Sequence, residues 1–571
     1  MGIHDIRKKW NAATAIGILF LAEFFFFGLF LEYAACICAG LLWAFFSVLF
    51  VKKEIHIFVG AESILVFTTV LMYLLTIFWG VDSGMSAVGA VKMTGVLAFA
   101  LLVMQLSEAQ RNNLLLCIPA AGAVMTLAGA AALPFPAVRE FFWTNSKRLG
   151  GFFQYPNVFA LFCLLGILIL AERQKKKPVY MCLLLSGILL SGSRSVFFLT
   201  AGAIFSVALF DKGSRKKLAA LFVLCVLFAA GYAIVSGNMQ NIGRFLTASF
   251  SSGTLLGRLI YAKDAVSLLF RYPFGLGYLG YYYMEPQIQT AAYSVRFVHN
   301  DILQLALDIG ILPCLFFVLV LLKNIISKRH SAYRRLMLAA VGAHLLLDFD
   351  LEFLSMWHVL ILLLLPEQGK EMVISAKSRK RAVRGAALAC ALCCIYFGAT
   401  MLPRYLGNPK LSYSVLPFYT EALKEAAAKE EDMGEALRIA EKLMAQNAYI
   451  AEAFDIKAAD AYQKQRYDSM ISFKKQSLAL QKYDMEAYRR YVALCGRALQ
   501  EAADKGEEGA VMDLLSAIAE TEDFLAEVKE KTNPFAYQTR DAPDFMLDSD
   551  TMEYITQVKA ILEEAKSDAD R

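Results

Sequence analysis

Residues 86–106, SAVGAVKMTGVLAFALLVMQL, hold a single charge, Lys92, in 21 positions. Crossing hydrocarbon as a helix takes ~20 mostly apolar residues, because every backbone N–H and C=O must find its partner inside the segment. This stretch meets that requirement, and it does not stand alone. Working outward from it, apolar runs recur at 12–31, 34–51, 57–79, 112–133, 158–171, 179–191, 195–210, 217–236, 301–323, 336–350, 353–365 and 384–402. The expected fold class is all-α, with a polytopic domain over 1–403 that has about 12–13 transmembrane helices. The shorter runs between 158 and 210 and between 336 and 365 have the softest ends.

The composition agrees. The chain has 571 residues, 58% hydrophobic and 19% charged, against about 45–50% and about 25% for a soluble domain. That excludes a disordered, collagen-like or simple soluble protein. The net charge of +6 is a sum over two unlike regions. Residues 1–403 carry 35 Lys and Arg against 19 Asp and Glu, whereas 404–571 carry 22 against 32.

Orientation follows from the basic clusters, since Lys and Arg in short loops stay cytoplasmic. Arg7 to Lys9, Lys52-Lys53, Arg173 with Lys175 to Lys177, Lys212 with Arg215 to Lys217, Lys323 to Arg335 and Lys377 to Arg384 fall on alternate loops. The N-terminus is therefore expected in the cytoplasm, and the loops 134–157 and 237–300 outside. With thirteen spans, everything after Pro403 is outside as well. The first apolar run has a basic flank but no A-x-A site after it, so it reads as an uncleaved anchor.

Residues 404–571 are rich in Ala, Glu, Lys and Leu with helical periodicity. Glu452-Ala453-Phe454 recurs as Glu486-Ala487-Tyr488, an offset of 34, and Ala436, Leu437 and Ile439 are echoed by Met470, Ile471 and Phe473. That period is the tetratricopeptide one, so a soluble extracytoplasmic helical-repeat domain is expected here. Such arrays hold protein partners on a concave face, and an ordinary helical bundle is the alternative. Cysteine adds little: ten of eleven lie in or beside apolar runs, with no paired framework and no metal-ligand spacing.

Positive charge on the outer side is the informative signal. The external segments carry Arg139, Lys147, Arg148, Arg194, Arg244, Arg258, Lys263, Arg271 and Arg296. Topogenesis disfavours basic residues there, and the planar guanidinium fork suits phosphate oxygens. Arg194 stands out in the polar break Ser191-Gly192-Ser193-Arg194, because a charge at that depth is costly unless it faces protein or water. Arg258 opens an amphipathic run, Leu259 to Phe270, expected along the membrane surface. His299-Asn300-Asp301 meets the start of a span, where histidine suits a general base and Asn300 or Asp301 a helix cap. His344 and Asp348, four apart, would share a helical face. Gly275-x-Gly277-x-x-Gly280 matches a dinucleotide fingerprint in letters only, since it follows Arg271-Tyr272-Pro273 in an external loop. Glu23, Glu62 and Lys92 lie within spans and leave a small-solute transport path open, although no inverted repeat accompanies them.

Taken in order, Gly151-x-Phe153-x-x-Pro156-Asn157-x-x-Ala160, Ser191-Gly192-Ser193-Arg194, Gly257-Arg258, Tyr272-Pro273-Phe274-Gly275-x-Gly277 and His299-Asn300 followed by Gly310 resemble the O-antigen ligase and Wzy-type polysaccharide polymerase superfamily. The resemblance covers roughly residues 90–366 and is densest at 149–310. It implies a GT-C-like membrane glycosyltransferase in the cytoplasmic membrane. An undecaprenyl-diphosphate-linked oligosaccharide would be the donor, and a glycan or other hydroxyl the acceptor, on the outer face. Carried over residue by residue, Arg194 and Arg258 would hold the diphosphate and His299 would be the base. Arg148, Asn157, Arg296, Asn300 and Asp348 are candidate supports. The resemblance implies no cofactor, no metal and no nucleic acid. Pro313 and Cys314 stand where ligases acting on lipid A core continue with Gly and Thr, which favours a polymerase or another acceptor. A non-catalytic envelope-assembly scaffold is the remaining alternative, with partners recruited through 404–571.

Overall fold

The computed structural model describes residues 12–49, 54–173, 178–211, 253–365 and 370–569, with isolated positions between 213 and 227. Most of the span expected at 217–236, Arg244 and the basic clusters at 7–9, 52–53 and 175–177 lie outside the described residues. The protein is an all-α, multi-pass helical chain. Among the described residues five helices are long and apolar enough to cross a bilayer: Glu32–Leu49, Ala61–Phe78, Ser83–Met104, Glu108–Ala131 and Lys377–Tyr405. Shorter apolar helices are Ala12–Phe25, Pro156–Glu172, Pro178–Ser191, Arg194–Phe210, Ile311–Ile326 and Leu354–Leu364. Among the described residues the one sheet is a ribbon in which Ile55–Phe58 pairs antiparallel with Glu371–Ile374. The apolar run expected from 57 thus begins as strand, and its helix starts at Ala61.

The chain divides into two units. The first comprises Met1–Thr76, Ala87–Ser249 and Val298–Leu402; the second comprises Ile77–Ser86, Phe250–Phe297 and Pro403–Arg571. Residues 253–297 of the large loop therefore group with the C-terminal region, not with the helices that flank the loop in sequence.

The first unit is built around Pro156–Glu172, whose residues from Pro156 to Ala171 are all buried. A helix apolar on every side has no face to give to water and becomes a centre for others. Its neighbours are Cys117–Ala131 and Pro178–Ser191. Small residues let these backbones approach: a Cβ at Gly187 would stand 2.6 Å from Thr126 Oγ1, and one at Gly122 would stand 2.7 Å from Leu184. Three expected spans are broken, each with a local reason. The first stops at Phe25 and gives way to the turn Phe27–Leu29, with Gly28 at φ 58°. The span 301–323 splits at Gly310 (φ 94°, ψ 164°) into Asp301–Ile309 and Ile311–Ile326. The span 336–350 runs only as Ala332–Leu345, followed by the turn Asp350–Glu352.

In the second unit, helix starts recur with the offset seen in sequence: Met433 and Tyr467 open the first helices of two pairs, and Ala451 and Met485 open the second. Asp432 and Asp484 cap the helices that follow them through the amides of Glu435 and Glu486. Ala453, Ala487 and Tyr488 are buried at the repeated positions. The loop helix Gly253–Arg271 buries Ile260 against Ala291, Tyr293 and Ala536, while Leu259 and Phe270 remain exposed.

Candidate active site

The site grows from two breaks in helical structure. The regular helix ends at Leu345 and the next begins at Leu354, and the buried Asp348 lies in the irregular stretch between them. On the opposing segment Gly151 (φ 59°) and Gln154 (φ 54°) turn the chain so that Pro156 opens a helix. Proline there costs no hydrogen bond, because the first amides of a helix have no intrahelical partner. Tyr155 and Asn157, on either side of that proline, both reach Asp348. The Tyr155 hydroxyl donates to Oδ1 at 2.6 Å and the Asn157 amide donates to Oδ2 at 2.5 Å.

His299 completes the cluster. Its Nδ1 lies 3.2 Å from Asp348 Oδ1, with the imidazole partly exposed and the carboxylate fully buried. The histidine backbone sits at φ 57°, in the left-handed region that residues other than glycine seldom adopt. Asn300 is the helix cap, its Oδ1 accepting from the Leu303 amide at 2.9 Å. Asp301 instead receives the Leu351 amide at 3.0 Å. Phe349 packs against the His299 ring at 4.9 Å and against Tyr155 at 4.6 Å, walling the pair from the side.

Arg148 ties the next motif in. Its Nη2 donates to Asn157 Oδ1 at 2.6 Å and its Nε to the Ser191 carbonyl at 2.7 Å. Arg148, Asn157, Asp348 and His299 thus form one connected network, reaching Ser191 of the Ser-Gly-Ser-Arg motif. Gly192 turns the chain there at φ 60°, and Arg194 starts the helix Arg194–Phe210. Its guanidinium is half-exposed, and among the described residues no hydrogen bond or ion pair engages it. Arg258 and Arg296 belong to the second unit. There Arg258 is half-buried near Tyr261, and Arg296 Nη1 stands 3.7 Å from Glu421 Oε2.

Two sequence expectations change. The Asp348 amide still donates to the His344 carbonyl at 3.0 Å, but the regular helix ends at Leu345 and the two side chains take different partners. His344 pairs with Asp350 instead, Nδ1 to Oδ2 at 2.6 Å. The intramembrane charges are each engaged by other groups. Glu23 meets His358 at 2.7 Å, Glu62 meets Lys323 at 2.8 Å, and Lys92 meets the Glu352 carbonyl at 2.8 Å and its carboxylate at 3.3 Å. Tyr155 was not singled out by sequence. The only signal was its place inside the motif from Gly151 to Asn157. Among the described residues no group of three or more His, Cys, Asp or Glu side chains is arranged to hold a metal ion.

The second unit carries its own buried acids. Asp264 accepts from the Thr290 amide and the Tyr293 hydroxyl, each at 2.8 Å, and Glu285 accepts from the Val295 amide at 2.9 Å. Burial pushes Glu285 up to about 8 and raises Asp264 as well.

Residues 179–318 match the family model described as O-antigen ligase, a stretch that contains Arg194, Arg258, Arg296, His299 and Asn300. No curated protein and no solved structure matches the chain. The family's members are glycosyltransferase-like ligases and polymerases that act in O-antigen and polysaccharide processing. The domain at residues 179–318 supports placing this chain in the O-antigen ligase superfamily.

Proposed function

We propose that the protein transfers or polymerises undecaprenyl-diphosphate-linked glycan on the outer side of the cytoplasmic membrane, with its N-terminus inside and residues 404–571 outside. The observation that carries this reading is His299, inside the stretch that matches the O-antigen ligase model, backed at 3.2 Å by the buried Asp348 that follows it. A carboxylate at Nδ1 holds the proton there and leaves Nε2 with a lone pair for an acceptor hydroxyl. His299 takes that proton as the hydroxyl oxygen bonds to C1 of the donor sugar. The C1–O bond to the diphosphate breaks, and its electron pair leaves with the phosphate oxygen.

Arg194 and Arg258 are assigned to the diphosphate. Fixed guanidinium groups stabilise the charge that develops on the departing oxygen, where preorganised donors contribute most. Arg148 and Asn157 position Asp348, and Arg296 and Asn300 support the loop and the helix start. The helical repeat of the second unit suits recruitment of an envelope protein. The membrane-embedded ion pairs of Glu23, Glu62 and Lys92 suit structural roles better than a solute path.

Transfer by the purified protein in nanodiscs, supplied with the lipid-linked glycan pool extracted from cells lacking it, tests this reading. Transfer is expected from the wild type and not from His299→Ala. Full activity in that variant would remove His299 as the base. Glycolipids that accumulate without the protein separate the two activities: single repeat units indicate a polymerase, and full-length lipid-linked chains a ligase.

A further inference from the structure

A second histidine–carboxylate pair lies beside the first, since the Asp348 amide donates to the His344 carbonyl, and it ends on a serine. Asp350 Oδ2 lies 2.6 Å from His344 Nδ1, and His344 Nε2 lies 3.3 Å from Ser195 Oγ. The two inner members are fully buried, while Ser195 is half-exposed. Ser193 Oγ is 3.3 Å from Ser195 Oγ, so a second hydroxyl flanks the end of the chain. Ser195 directly follows Arg194 in the first turn of its helix. Ser193 is the N-cap residue of that helix, and its side chain makes no hydrogen bond to the leading amides.

In an aspartate–histidine–serine chain the proton moves between histidine and serine, while the aspartate orients and stabilises the imidazole. Direction depends on what stands beyond the serine. A nucleophilic serine needs a neutral imidazole that takes its proton. A serine facing an anion needs the reverse, an imidazolium that donates to Oγ and turns the hydroxyl hydrogen outward. Arg194 as next neighbour and the positive end of the helix both favour an anion, and Asp350 stands where it would balance an imidazolium inside the protein.

We propose that Ser195 donates its hydroxyl proton to the leaving diphosphate, with His344 and Asp350 as the relay behind it. This rests on the reading that Arg194 holds the donor diphosphate. As the C1–O bond breaks, the phosphate oxygen keeps the electron pair and takes the proton of Ser195. Ser195 recovers a proton from Nε2 of His344, which becomes neutral. The acceptor's proton meanwhile resides on His299. The two histidines then return to their starting states by exchange with water, so that one acceptor hydroxyl and one glycosyl diphosphate give one glycoside and one protonated diphosphate. Ser195 touches the substrate, whereas His344 and Asp350 act through it as positioning residues.

The test uses the full chain in nanodiscs with the extracted lipid-linked glycan pool. Ser195→Ala is expected to lower kcat by about 10²-fold, with KM moving by less than about threefold. His344→Gln should show the same split, and the double variant should be no worse than either alone. Ser195→Thr keeps the hydroxyl and should recover most of the rate, which a loss of folding would not allow. The proposal falls if Ser195→Ala turns over like the wild type while His299→Ala is inactive; that result leaves His299 and the transfer reaction standing. It also falls if a fluorophosphonate probe labels Ser195 in the wild type, because the serine would then be a nucleophile. Absence of any transfer by the wild type overturns the transfer reading and this proposal together.

Discussion

Asp348 Oδ1 stands 3.2 Å from Nδ1 of His299, the two residues 49 positions apart in the chain and joined where two helices are interrupted. The carboxylate is fully buried and already accepts from Tyr155 and Asn157, so its orientation is set before the histidine arrives. A buried carboxylate so engaged resists reorientation, and the imidazole inherits that rigidity through one bond.

Asp348→Asn tests this arrangement. The amide keeps the shape but presents a donor or a weaker acceptor to Nδ1, which favours the wrong tautomer. Turnover is expected to fall by about 10²–10⁴-fold, with donor binding nearly unchanged. Tyr155→Phe removes one of the bonds that hold the carboxylate and leaves the ring stacking on Phe349 intact. Its rate should fall by about tenfold or less, since one such bond contributes about 1 kcal/mol. Steady-state transfer assays on both variants check the order; a Tyr155→Phe defect equal to that of Asp348→Asn would give the hydroxyl a role in the chemistry itself.

Lys92 and Glu352 form a buried pair whose ammonium also donates to the Glu352 carbonyl. Removing one partner strands the other charge, which costs about 3–5 kcal/mol, whereas replacing both is far milder. Lys92→Met alone should therefore lower the thermal midpoint of the detergent-solubilised protein strongly. Lys92→Met with Glu352→Gln should recover much of the loss. Equal destabilisation in the single and double variants would show that the pair is not the source.

The helices were legible because a bilayer imposes a length, and that length is written directly into the apolar runs. Their interruptions were less so. Gly310 was visible as a glycine after His299-Asn300, but its φ of 94° follows from the tertiary path of the chain. The partnership of His299 with Asp348 joins distant segments, and no periodicity reports such a pair. The partner of His344 was hidden for a local reason: helical spacing points to Asp348, but the regular helix ends at Leu345 and the turn beyond it brings Asp350 to the imidazole. The grouping of Phe250–Phe297 with the C-terminal region was also hidden, since hydropathy assigns a loop to the membrane part by adjacency alone.

Gly28 is expected to tolerate no side chain. Its φ of 58° is open to glycine at little cost, and a Cβ there would fall 2.4 Å from the Phe153 ring. That ring packs against Phe24, Phe162 and Phe353, so it has little room to withdraw. Gly28→Ala should cost on the order of 2–3 kcal/mol from the backbone and the clash together. A thermal midpoint equal to that of the wild type in the same detergent would show that the turn relaxes freely.

Glu285 gives the pH dependence a sign. Burial raises its carboxyl from 4.5 to about 8 in the folded chain, with the Val295 amide opposing part of the shift. Between those two values the unfolded chain has released a proton that the folded chain still holds. Stability therefore falls as pH rises through this window, by at most about 1.4 kcal/mol per unit from this group. The contribution is fully present below pH 4.5 and fully lost above about 8. Asp264, raised by the same cause, adds a slope of the same sign. Glu285→Gln keeps an acceptor for the Val295 amide and carries no titrating proton, so its thermal midpoint should decline less steeply from pH 5 to pH 8 than that of the wild type. Parallel curves for the two proteins would mean that Glu285 is already ionised in the folded state near neutrality.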